Sequence, residues 1–345
     1  MSSDVVVPLM YRNVSHFTDT EIPKIFNQSW IFSGLLMELN GKTHVGLRVG
    51  STEIILQRDD FGLPRAFLNV CTHRHAQLCE HGRHNGPIRC PYHSWVFDRQ
   101  GVPTGIPQKL AFPSVVAHPE RFQLTEFACE AVGQFIFVRL STKGPTLRDF
   151  LGTQYDFLER VTGNISVSLD EFEETVDANW KVVIENSLEG YHVSTVHNKT
   201  LGQVDGMSQE QQAASFFFPD RLHSQLEHAA DVDWLKRFMR FDSKIEKWPW
   251  RFNHYTHHFI FPNLTITSFL GYSFHIQKFS PSSIDKTEVH SRTMGFDFST
   301  GSQFGRALMR KIFDEGNLFT HRVFQEDKDI CRKVQMGLDQ AVRPA

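Results

Sequence analysis

The sequence is poor in cysteine, in net charge and in long apolar runs, and each shortage excludes a class of protein. Five cysteines in 345 residues are too few, and odd in number, for a secreted disulfide framework. The 36 basic and 39 acidic residues leave a net charge of −3, which gives no electrostatic basis for binding a nucleic-acid backbone. No run approaches the roughly 18 apolar residues of a transmembrane helix, and the first residues lack the pattern of a signal peptide. We therefore expect a cytoplasmic protein that binds neither nucleic acid nor membrane.

The chain also lacks a Gly-x-Gly-x-x-Gly segment after a strand pattern, so we do not expect it to bind a dinucleotide itself. What it has in excess are 18 histidines and 31 phenylalanines. Histidine in excess indicates metal or proton chemistry. The length corresponds to about two domains at roughly 150 residues each.

The patterning predicts two domains of different character. Short alternating apolar runs separated by glycine and aspartate turns predict an all-β domain over 38–150. Four strand-like runs then follow one another at 252–261, 264–270, 272–279 and 287–298. A helical pattern over 301–339 closes the chain, so 1–37 and 151–345 are predicted to form a second, α+β domain with an antiparallel sheet.

The loop-rich part of the first domain carries two mixed cysteine–histidine pairs. Cys71-x-His73 is followed sixteen residues later by Cys90-x-x-His93. A structural zinc site usually pairs like with like, as C-x2–4-C and H-x3–5-H. Mixed pairs suit a two-iron cluster in which one iron takes both thiolates and the other both imidazoles. The remaining cysteines and nearby histidines are interpreted as loop or core residues.

A second group of candidate ligands lies in the second domain. Glu189 and His192 are three residues apart and would share a helix face. His197 is five residues beyond His192, so we expect a helix over 179–195 that loosens near 190–197. Two histidines and a carboxylate from elsewhere are the ligand set of non-haem Fe(II).

Together these segments resemble the Rieske non-haem iron oxygenases, the α subunits of the ring-hydroxylating type, over nearly the whole chain. The matching segments are Cys71-Thr-His73-Arg, Cys90-Pro-Tyr-His93-Ser-Trp, Asn179-Trp-Lys-x3-Glu-Asn, Glu189-x2-His192-x4-His197 and Glu326-Asp327-x2-Ile with Gln335-x-Gly-Leu.

The resemblance implies cofactors and roles for these residues. Cys71, His73, Cys90 and His93 would hold a Rieske [2Fe-2S] cluster. The ligands of a mononuclear Fe(II) would be His192, His197 and Asp327, with Asp329 or Glu326 as alternatives to Asp327. Glu189 would be the catalytic acid that links His192 to His93 of the partner subunit in a homotrimer, with a β subunit an open question. The second domain would have a helix-grip fold.

The implied activity is that of a terminal oxygenase that uses O2 and electrons from a separate NAD(P)H-oxidising ferredoxin or flavin reductase. An aromatic compound or aromatic acid is the favoured substrate, by hydroxylation, dihydroxylation or dealkylation. Glu189 stands where many members carry Asp, which favours the alternative of a carnitine- or betaine-type quaternary ammonium. A Rieske electron carrier without oxygenase activity and a zinc protein are further alternatives. Phe216–Phe218, Phe259 and Phe261 would line a substrate pocket or pack in the core.

Overall fold

The computed structural model describes residues 9–41, 43–203, 222–229, 254–269, 271–297, 299 and 303–341. The chain forms two compact units. The smaller is Asp19–Leu158, and the larger combines Met1–Thr18 with Glu159–Ala345. Phe216–Phe218 lie outside the described residues.

Seven α-helices and sixteen strands occur in the described part of the chain. The helices are α1 (Val14–His16), α2 (Pro113–Ala117), α3 (Leu147–Leu151), α4 (Thr153–Thr162), α5 (Trp180–Ser187), α6 (Val193–Val196) and α7 (Gln303–Gln340). The strands of the smaller unit are β1 (Ile31–Leu35), β2 (Thr43–Val49), β3 (Thr52–Arg58), β4 (Pro64–Leu68), β5 (Gly82–Asn85), β6 (Ile88–Arg89), β7 (Val96–Phe97), β8 (Pro103–Gly105), β9 (Glu126–Val132) and β10 (Phe135–Arg139). Those of the larger unit are β11 (Val167–Val176), β12 (Ser224–Ala229), β13 (His254–Ile260), β14 (Leu264–Phe269), β15 (Ser273–Ser283) and β16 (Lys286–Gly295). Short 3-10 turns cover Leu9–Arg12, Leu36–Leu39, Lys109–Ala111, Pro119–Phe122 and Leu201–Gln203, and a π-helical segment covers Phe17–Phe26.

The smaller unit is built on antiparallel sheets, which confirms the predicted all-β domain. Seven strands are ordered β1-β10-β9-β4-β3-β2-β5, and a separate small sheet is ordered β6-β7-β8. The unit extends beyond both ends of the range 38–150, because β1 pairs with β10 and because the unit continues through α3. Its core includes Phe67, Trp95 and Phe97, together with Cys71 and Cys90. The two cysteines are therefore anchored in packed apolar surroundings.

The larger unit is a six-stranded antiparallel sheet with helices, as the α+β prediction requires. The order is β11-β16-β15-β14-β13-β12, so the predicted meander of four strands is confirmed. The 38-residue helix α7 confirms the closing helix. It packs along β11 through the Phe172 and Phe324 rings, 5.0 Å apart, and through His321 Nε2, 2.7 Å from Asp170 Oδ2. No helix in the described ranges has the length and apolar character needed to cross a membrane.

The helix predicted over 179–195 is interrupted. α5 begins after Asn179, whose side chain accepts a hydrogen bond from the Lys181 backbone N–H at 3.0 Å, a typical N-cap. It ends at Ser187, and α6 begins only at Val193. The expected loosening near 190–197 therefore begins earlier than predicted, because the chain already turns through Glu189 and Gly190.

One face of the larger sheet carries a row of polar side chains. Directly opposed residues of antiparallel strands share a face, and the pairings place His257, Thr267, His275 and Thr293 in one row that ends at Asp170. This row lies on the face that bears α7, because Asp170 contacts His321 there. We call it the polar row. Apolar side chains pack on both faces: Phe259, Phe279 and Val289 are buried on the helix-bearing face, and Ile266, Phe274 and Ile276 are buried on the reverse face.

The polar row makes the fold sensitive to acid. Burial, with a smaller contribution from the neighbouring His275, lowers the pKa of His257 to about 4. Burial also lowers the pKa of His275 to about 4, with Asp170 opposing and His321 reinforcing this shift. Both imidazoles are therefore neutral in the folded protein at pH 5, whereas an unfolded chain protonates them below about pH 6.5.

We expect the free energy of unfolding to fall as the pH decreases from 6.5 to 4. The unfolded state binds more protons in this window, so each histidine contributes a slope of up to about 1.4 kcal/mol per pH unit. Urea unfolding at stepwise pH values measures it. A His257→Gln variant should show a shallower slope than the parent protein. An unchanged slope would contradict the assignment of this acid sensitivity to His257.

Candidate functional site

Two loops of the smaller unit adopt the same type of backbone turn. The Cys71 N–H donates to the Ala76 carbonyl at 2.8 Å, and the Cys90 N–H donates to the Trp95 carbonyl at 2.8 Å. Each turn needs a left-handed residue at its fifth position, which is His75 (φ 58°) in the first loop and Ser94 (φ 59°) in the second. His75 is thus a residue of the turn, in agreement with its interpretation as a loop residue.

The four predicted cluster ligands come together as two pairs of like atoms. Cys71 and Cys90 are both buried, and their thiols are within hydrogen-bonding reach, which together with burial raises the pKa of Cys71. The rings of His73 and His93 lie 4.7 Å apart, at 61°. The Nδ1 atoms of both rings are buried and have no hydrogen-bond partner, an arrangement that is costly unless another group binds them.

This pairing of like atoms distinguishes a site for a two-iron cluster from a site for a single zinc ion. Four ligands of one tetrahedral zinc at about 2.0–2.3 Å all lie within roughly 4 Å of one another. Among the described residues, three or more candidate ligand atoms gather within 4.8 Å only at His192, His197 and Asp327. Sulfur next to sulfur and imidazole next to imidazole is what a cluster requires when one iron is bound by two cysteines and the other by two histidines.

Aromatic side chains fix the orientation of the two imidazoles. Trp95 stacks on His73, with centroids 4.7 Å apart and planes at 3°, and Phe112 meets the same ring edge-on at 5.3 Å. Tyr92 lies 3.8 Å from His93. The spacing of the cysteines and histidines gives no signal for Phe112, which comes from a later turn of the chain.

The other cysteines and histidines of this region have partners outside the cluster site. The backbone N–H and carbonyl of Cys79 bind the Asn69 side chain, and burial raises the pKa of the Cys79 thiol to about 11. His81 contacts Glu53, and His84 stacks on His44. These contacts give each residue a structural role.

In the larger unit, the structure brings His192, His197 and Asp327 together. His197 Nε2 lies 3.0 Å from Asp327 Oδ1 and 3.2 Å from His192 Nε2, and His192 Nε2 lies 3.4 Å from Asp327 Oδ1. Three ligands on one face of an octahedron, with metal bonds of about 2.1 Å, are roughly 3.0 Å apart. The three atoms therefore fit a facial triad around one metal ion, with the opposite positions left for other ligands.

Two helices position this triad, the single turn α6 and the long helix α7. His192 and His197 flank the single turn of α6, one at each end, and Asp327 projects from α7. His197 is 1% exposed, whereas the Asp327 side chain is 28% exposed. The triad is thus anchored on its His197 side and open on its Asp327 side.

Each triad member is held by a further polar side chain. Glu189 binds His192 Nδ1, Glu326 Oε2 lies 2.7 Å from His197 Nδ1, and Asn186 donates to Asp327 Oδ1 at 2.7 Å. Contacts at the nitrogen that faces away from the metal fix the ring and its tautomer. Because Glu326 holds His197 at Nδ1, it is a positioning residue, and Asp329 is exposed on α7.

The spacing of Glu189 and His192 predicted that the two side chains meet on one helix face. They do meet, but not on a helix. Glu189 lies in the turn between α5 and α6, and its carboxylate also accepts the backbone N–H groups of Tyr191 and His192. The prediction of proximity was right, but its reason was wrong. Sequence reasoning also missed the contact of Asn186 with Asp327 and that of Thr200, whose hydroxyl donates to Glu326 Oε2 at 2.6 Å.

The charges around the triad favour a bound cation. Burial disfavours the imidazolium of His192, yet Asp327 and Glu189 outweigh it and raise the pKa of His192 to about 9. The pKa of His197 is raised against burial by Asp327 and Glu326. Burial alone would raise the pKa of Asp327, but hydrogen bonds from both histidines and Asn186 lower it. Three carboxylates next to two imidazoles suit a divalent metal.

The family model for the ring-hydroxylating α subunit, catalytic domain, matches residues 157–345, which is more than half of the chain. The chain belongs to this family. The family model for the Rieske [2Fe-2S] domain matches residues 29–118 of the same chain. It therefore combines a Rieske domain with a catalytic domain of the mononuclear-iron type, and the predicted fold class and pair of cofactors are confirmed at the level of these domains.

Curated relatives of this α-type chain fall into two groups. The glycine betaine monooxygenase oxygenase subunit of Chromohalobacter salexigens is 31% identical over 243 residues, which cover 68% of this chain and 54% of that protein. The anthranilate 1,2-dioxygenase large subunit of Acinetobacter baylyi is 30% identical over 199 residues, which cover 55% of this chain and 42% of that protein. The chain thus spans about half the length of the curated relatives it matches.

Solved structures share the fold of this α-type chain. A naphthalene 1,2-dioxygenase with indole bound superposes with a TM-score of 0.76 at 20% identity, covering 96% of this chain and 80% of that one. A quaternary ammonium Rieske monooxygenase in complex with L-carnitine gives 0.74 at 19% identity, covering 97% and 85%. At these identities the likeness establishes the fold.

Glu326→Gln is expected to weaken Fe(II) binding by about 10–100-fold, because a neutral amide holds the His197 ring less firmly and removes a negative charge. Titration of the metal-free protein with Fe(II) under anaerobic conditions measures the dissociation constant. Glu315→Gln, at an exposed position of the same helix, is the matched control. Equal affinities of the Glu326→Gln and parent proteins would contradict the positioning role.

Proposed function

We propose that this protein is the terminal oxygenase component of a multicomponent system, in which O2 is activated at a mononuclear Fe(II). The observation that carries this is the triad of His192, His197 and Asp327, whose three ligand atoms lie within 3.4 Å of one another. Such a triad leaves positions open for O2. The Rieske domain that precedes it supplies a one-electron centre, held by Cys71, His73, Cys90 and His93.

The side chains around the triad perform binding and orientation. When bound, the Fe(II) provides the O2 chemistry and the [2Fe-2S] cluster provides electrons one at a time. Glu189 and Glu326 hold the Nδ1 atoms of His192 and His197, so both Nε2 atoms point at one place. Asn186 directs Asp327 Oδ1 to the same place. The protein therefore presents a preorganised ligand set, and no side chain has to rotate to bind the metal.

Glu189 also has the position of an electron bridge. Its side chain is 45% exposed while it binds His192, so a carboxylate oxygen is accessible to a second imidazole. In the proposed homotrimer this second imidazole is His93 of the partner subunit. A carboxylate between two ligand rings makes a short polar connection between the metals. Electrons reach the cluster from a separate NAD(P)H-dependent ferredoxin or flavin reductase.

The substrate is a small organic molecule, and two classes are supported. The named relatives act on anthranilate and glycine betaine, so an aromatic acid and a quaternary-ammonium acid both follow from similarity. This chain has Glu189 where many members of the family carry Asp, and this difference favours a quaternary-ammonium acid. Both classes share a carboxylate, which makes an organic acid the common proposal.

Product analysis under ¹⁸O2 tests this function. The purified protein is combined with a compatible reductase, NADH and either anthranilate or glycine betaine, and the product is examined by mass spectrometry. Incorporation of ¹⁸O, or dealkylation coupled to O2 consumption, is the expected result. A brown protein that accepts electrons and consumes no O2 with any acid would favour an electron carrier. A colourless protein that retains zinc would contradict the oxygenase.

A further inference from the structure

The turn Leu9–Arg12, which we call the strap, connects two helices of the larger unit that carry residues of the metal site. Arg12 donates a hydrogen bond to the carbonyl of Leu338 in the last turn of α7, at 2.9 Å. Asn179, the N-cap of α5, donates its side-chain N–H to the carbonyl of Tyr11 at 2.9 Å. The strap therefore joins the start of α5 to the end of α7.

The side chain of Tyr11 makes a second contact with α5, near the other end of the helix. Its hydroxyl donates a hydrogen bond to Glu185 Oε1. The ammonium of Lys181 lies 4.4 Å from the centroid of the Tyr11 ring, within the range of a cation–π interaction. Burial raises the pKa of Glu185, whereas the hydrogen bond from Tyr11 and the charge of Lys181 oppose this shift. A partly buried carboxylate is thus held between a hydrogen-bond donor and a cation.

Glu185 is followed directly by the residue of α5 that contacts the triad. Asn186 donates to Asp327 Oδ1 at 2.7 Å. Consecutive residues of an α-helix point about 100° apart, so the contact of Glu185 with Tyr11 and that of Asn186 with Asp327 lie in different directions from the helix axis. Together the two contacts fix the rotation of α5 about its axis.

The geometry of α5 depends on contacts of this kind. The helix is only eight residues long, and so short a helix is not stable without tertiary contacts. Its apolar side chains Val182, Val183 and Ile184 are buried, but the hydrophobic effect is non-directional and does not by itself fix a rotation. A hydrogen bond is directional, so the bond at Glu185 determines where the next side chain points.

Apolar side chains would fill the space between the strap and α5 without the cost of desolvating a carboxylate, so packing does not account for this hydrogen bond. We propose that Tyr11 is a positioning residue of the metal site. Through Glu185 it sets the rotation of α5, and Asn186 then holds Asp327 Oδ1 in its ligand position. This rests on the proposed oxygenase function and deepens it, because it adds a residue remote in the sequence to those that govern the iron site.

A double-mutant cycle tests the proposal. Fe(II) is titrated anaerobically into protein that retains its cluster but lacks the mononuclear iron, and the dissociation constants of the parent, Tyr11→Phe, Asn186→Ala and the double variant are compared. Tyr11→Phe should weaken binding about fivefold and Asn186→Ala about tenfold or more, since the loss of contacts that hold metal ligands lowers affinity. The double variant should stay within about twofold of Asn186→Ala, because Tyr11 acts through Asn186.

The substitution at Tyr11 removes one oxygen atom and keeps the ring beside Lys181. Tyr155→Phe removes the same atom from α4 in the smaller unit and is the matched control, which should bind Fe(II) like the parent. A merely structural Tyr11 would lower the urea midpoint without coupling to Asn186. Equal affinities of the Tyr11→Phe and parent proteins, or a fivefold loss that persists in the Asn186→Ala background, would overturn the proposal.

The outcomes separate this proposal from the function on which it rests. Fe(II) affinity that depends on Tyr11 through Asn186, without any consumption of O2, would contradict the oxygenase function and retain the positioning role. Turnover by a Tyr11→Phe protein that binds Fe(II) as tightly as the parent would contradict the positioning role and retain the oxygenase function. A parent protein that binds no Fe(II) would contradict both.

Discussion

An Asp327→Ala variant is expected to lose its mononuclear iron and all product formation while it keeps the visible spectrum of the cluster. Asp327 supplies the one carboxylate of the triad, and its Oδ1 lies 3.0 and 3.4 Å from the two histidine nitrogens. Without it, two neutral imidazoles remain, and affinity for Fe(II) should fall by more than the roughly 10–100-fold typical of supporting contacts. Iron analysis, absorption spectra and turnover measure the three quantities.

Asp329→Ala is the matched control for this experiment. Asp329 lies two residues further along α7 and is exposed, so the variant removes the same charge from the same helix without touching the triad. We expect its iron content and turnover to equal those of the parent. If Asp327→Ala retained iron, or if Asp329→Ala lost it, the third ligand would have to be reassigned.

A Cys90→Ser variant is expected to lose the [2Fe-2S] cluster, its brown colour and all reductase-dependent turnover. Cys90 is 1% exposed, and its thiol lies beside that of Cys71, so no other described cysteine can take its place. The loss of one thiolate leaves one iron with a single protein sulfur. The absorption spectrum and the acid-labile sulfide content measure the loss, and Fe(II) binding at the triad should persist in the same protein.

The neighbouring Cys79→Ser variant is the control for cluster loss. Cys79 lies in the same apolar cluster of side chains but is tied to Asn69 and not to the pair of sulfurs. We expect an unchanged spectrum and unchanged turnover. A Cys79→Ser protein without a cluster, or a Cys90→Ser protein with an intact spectrum, would show that the pairing of sulfurs is misassigned.

Local spacing predicted those parts of the fold and site that depend on neighbours in the chain. The pairs Cys71 with His73 and Cys90 with His93 each lie within one turn, so the sequence places them together. The periodicity of α7 and of strands β13 to β16 was likewise sufficient. Ligand spacing and the periodicity of apolar residues, about 3.6 in the helix and two in the strands, are local features that a single sequence displays.

Contacts between distant segments were not predictable in this way. Glu326 and Asp327 are adjacent acids on one helix, and only packing against α6 decides which of them faces the Nε2 atoms and which holds Nδ1. The polar row depends on the register of five strands, because a shift of one residue would turn every side chain to the other face. The spacing of His192 and His197 predicted that the helix loosens near 190–197, but not that it ends at Ser187, because helix propensity alone does not reveal a turn stabilised by Glu189.

His192 and His197 lie at the two ends of α6, so a metal ion bound by both rings would stabilise this single helical turn. Binding by both rings and by Asp327 would cross-link α6 to α7. A ligand that binds α6 only in its folded form stabilises that form against local unfolding by RT ln(1 + [L]/Kd). Amide hydrogen exchange over 193–203 should therefore slow on loading with Fe(II), which makes this short segment a local reporter of occupancy, independent of catalysis.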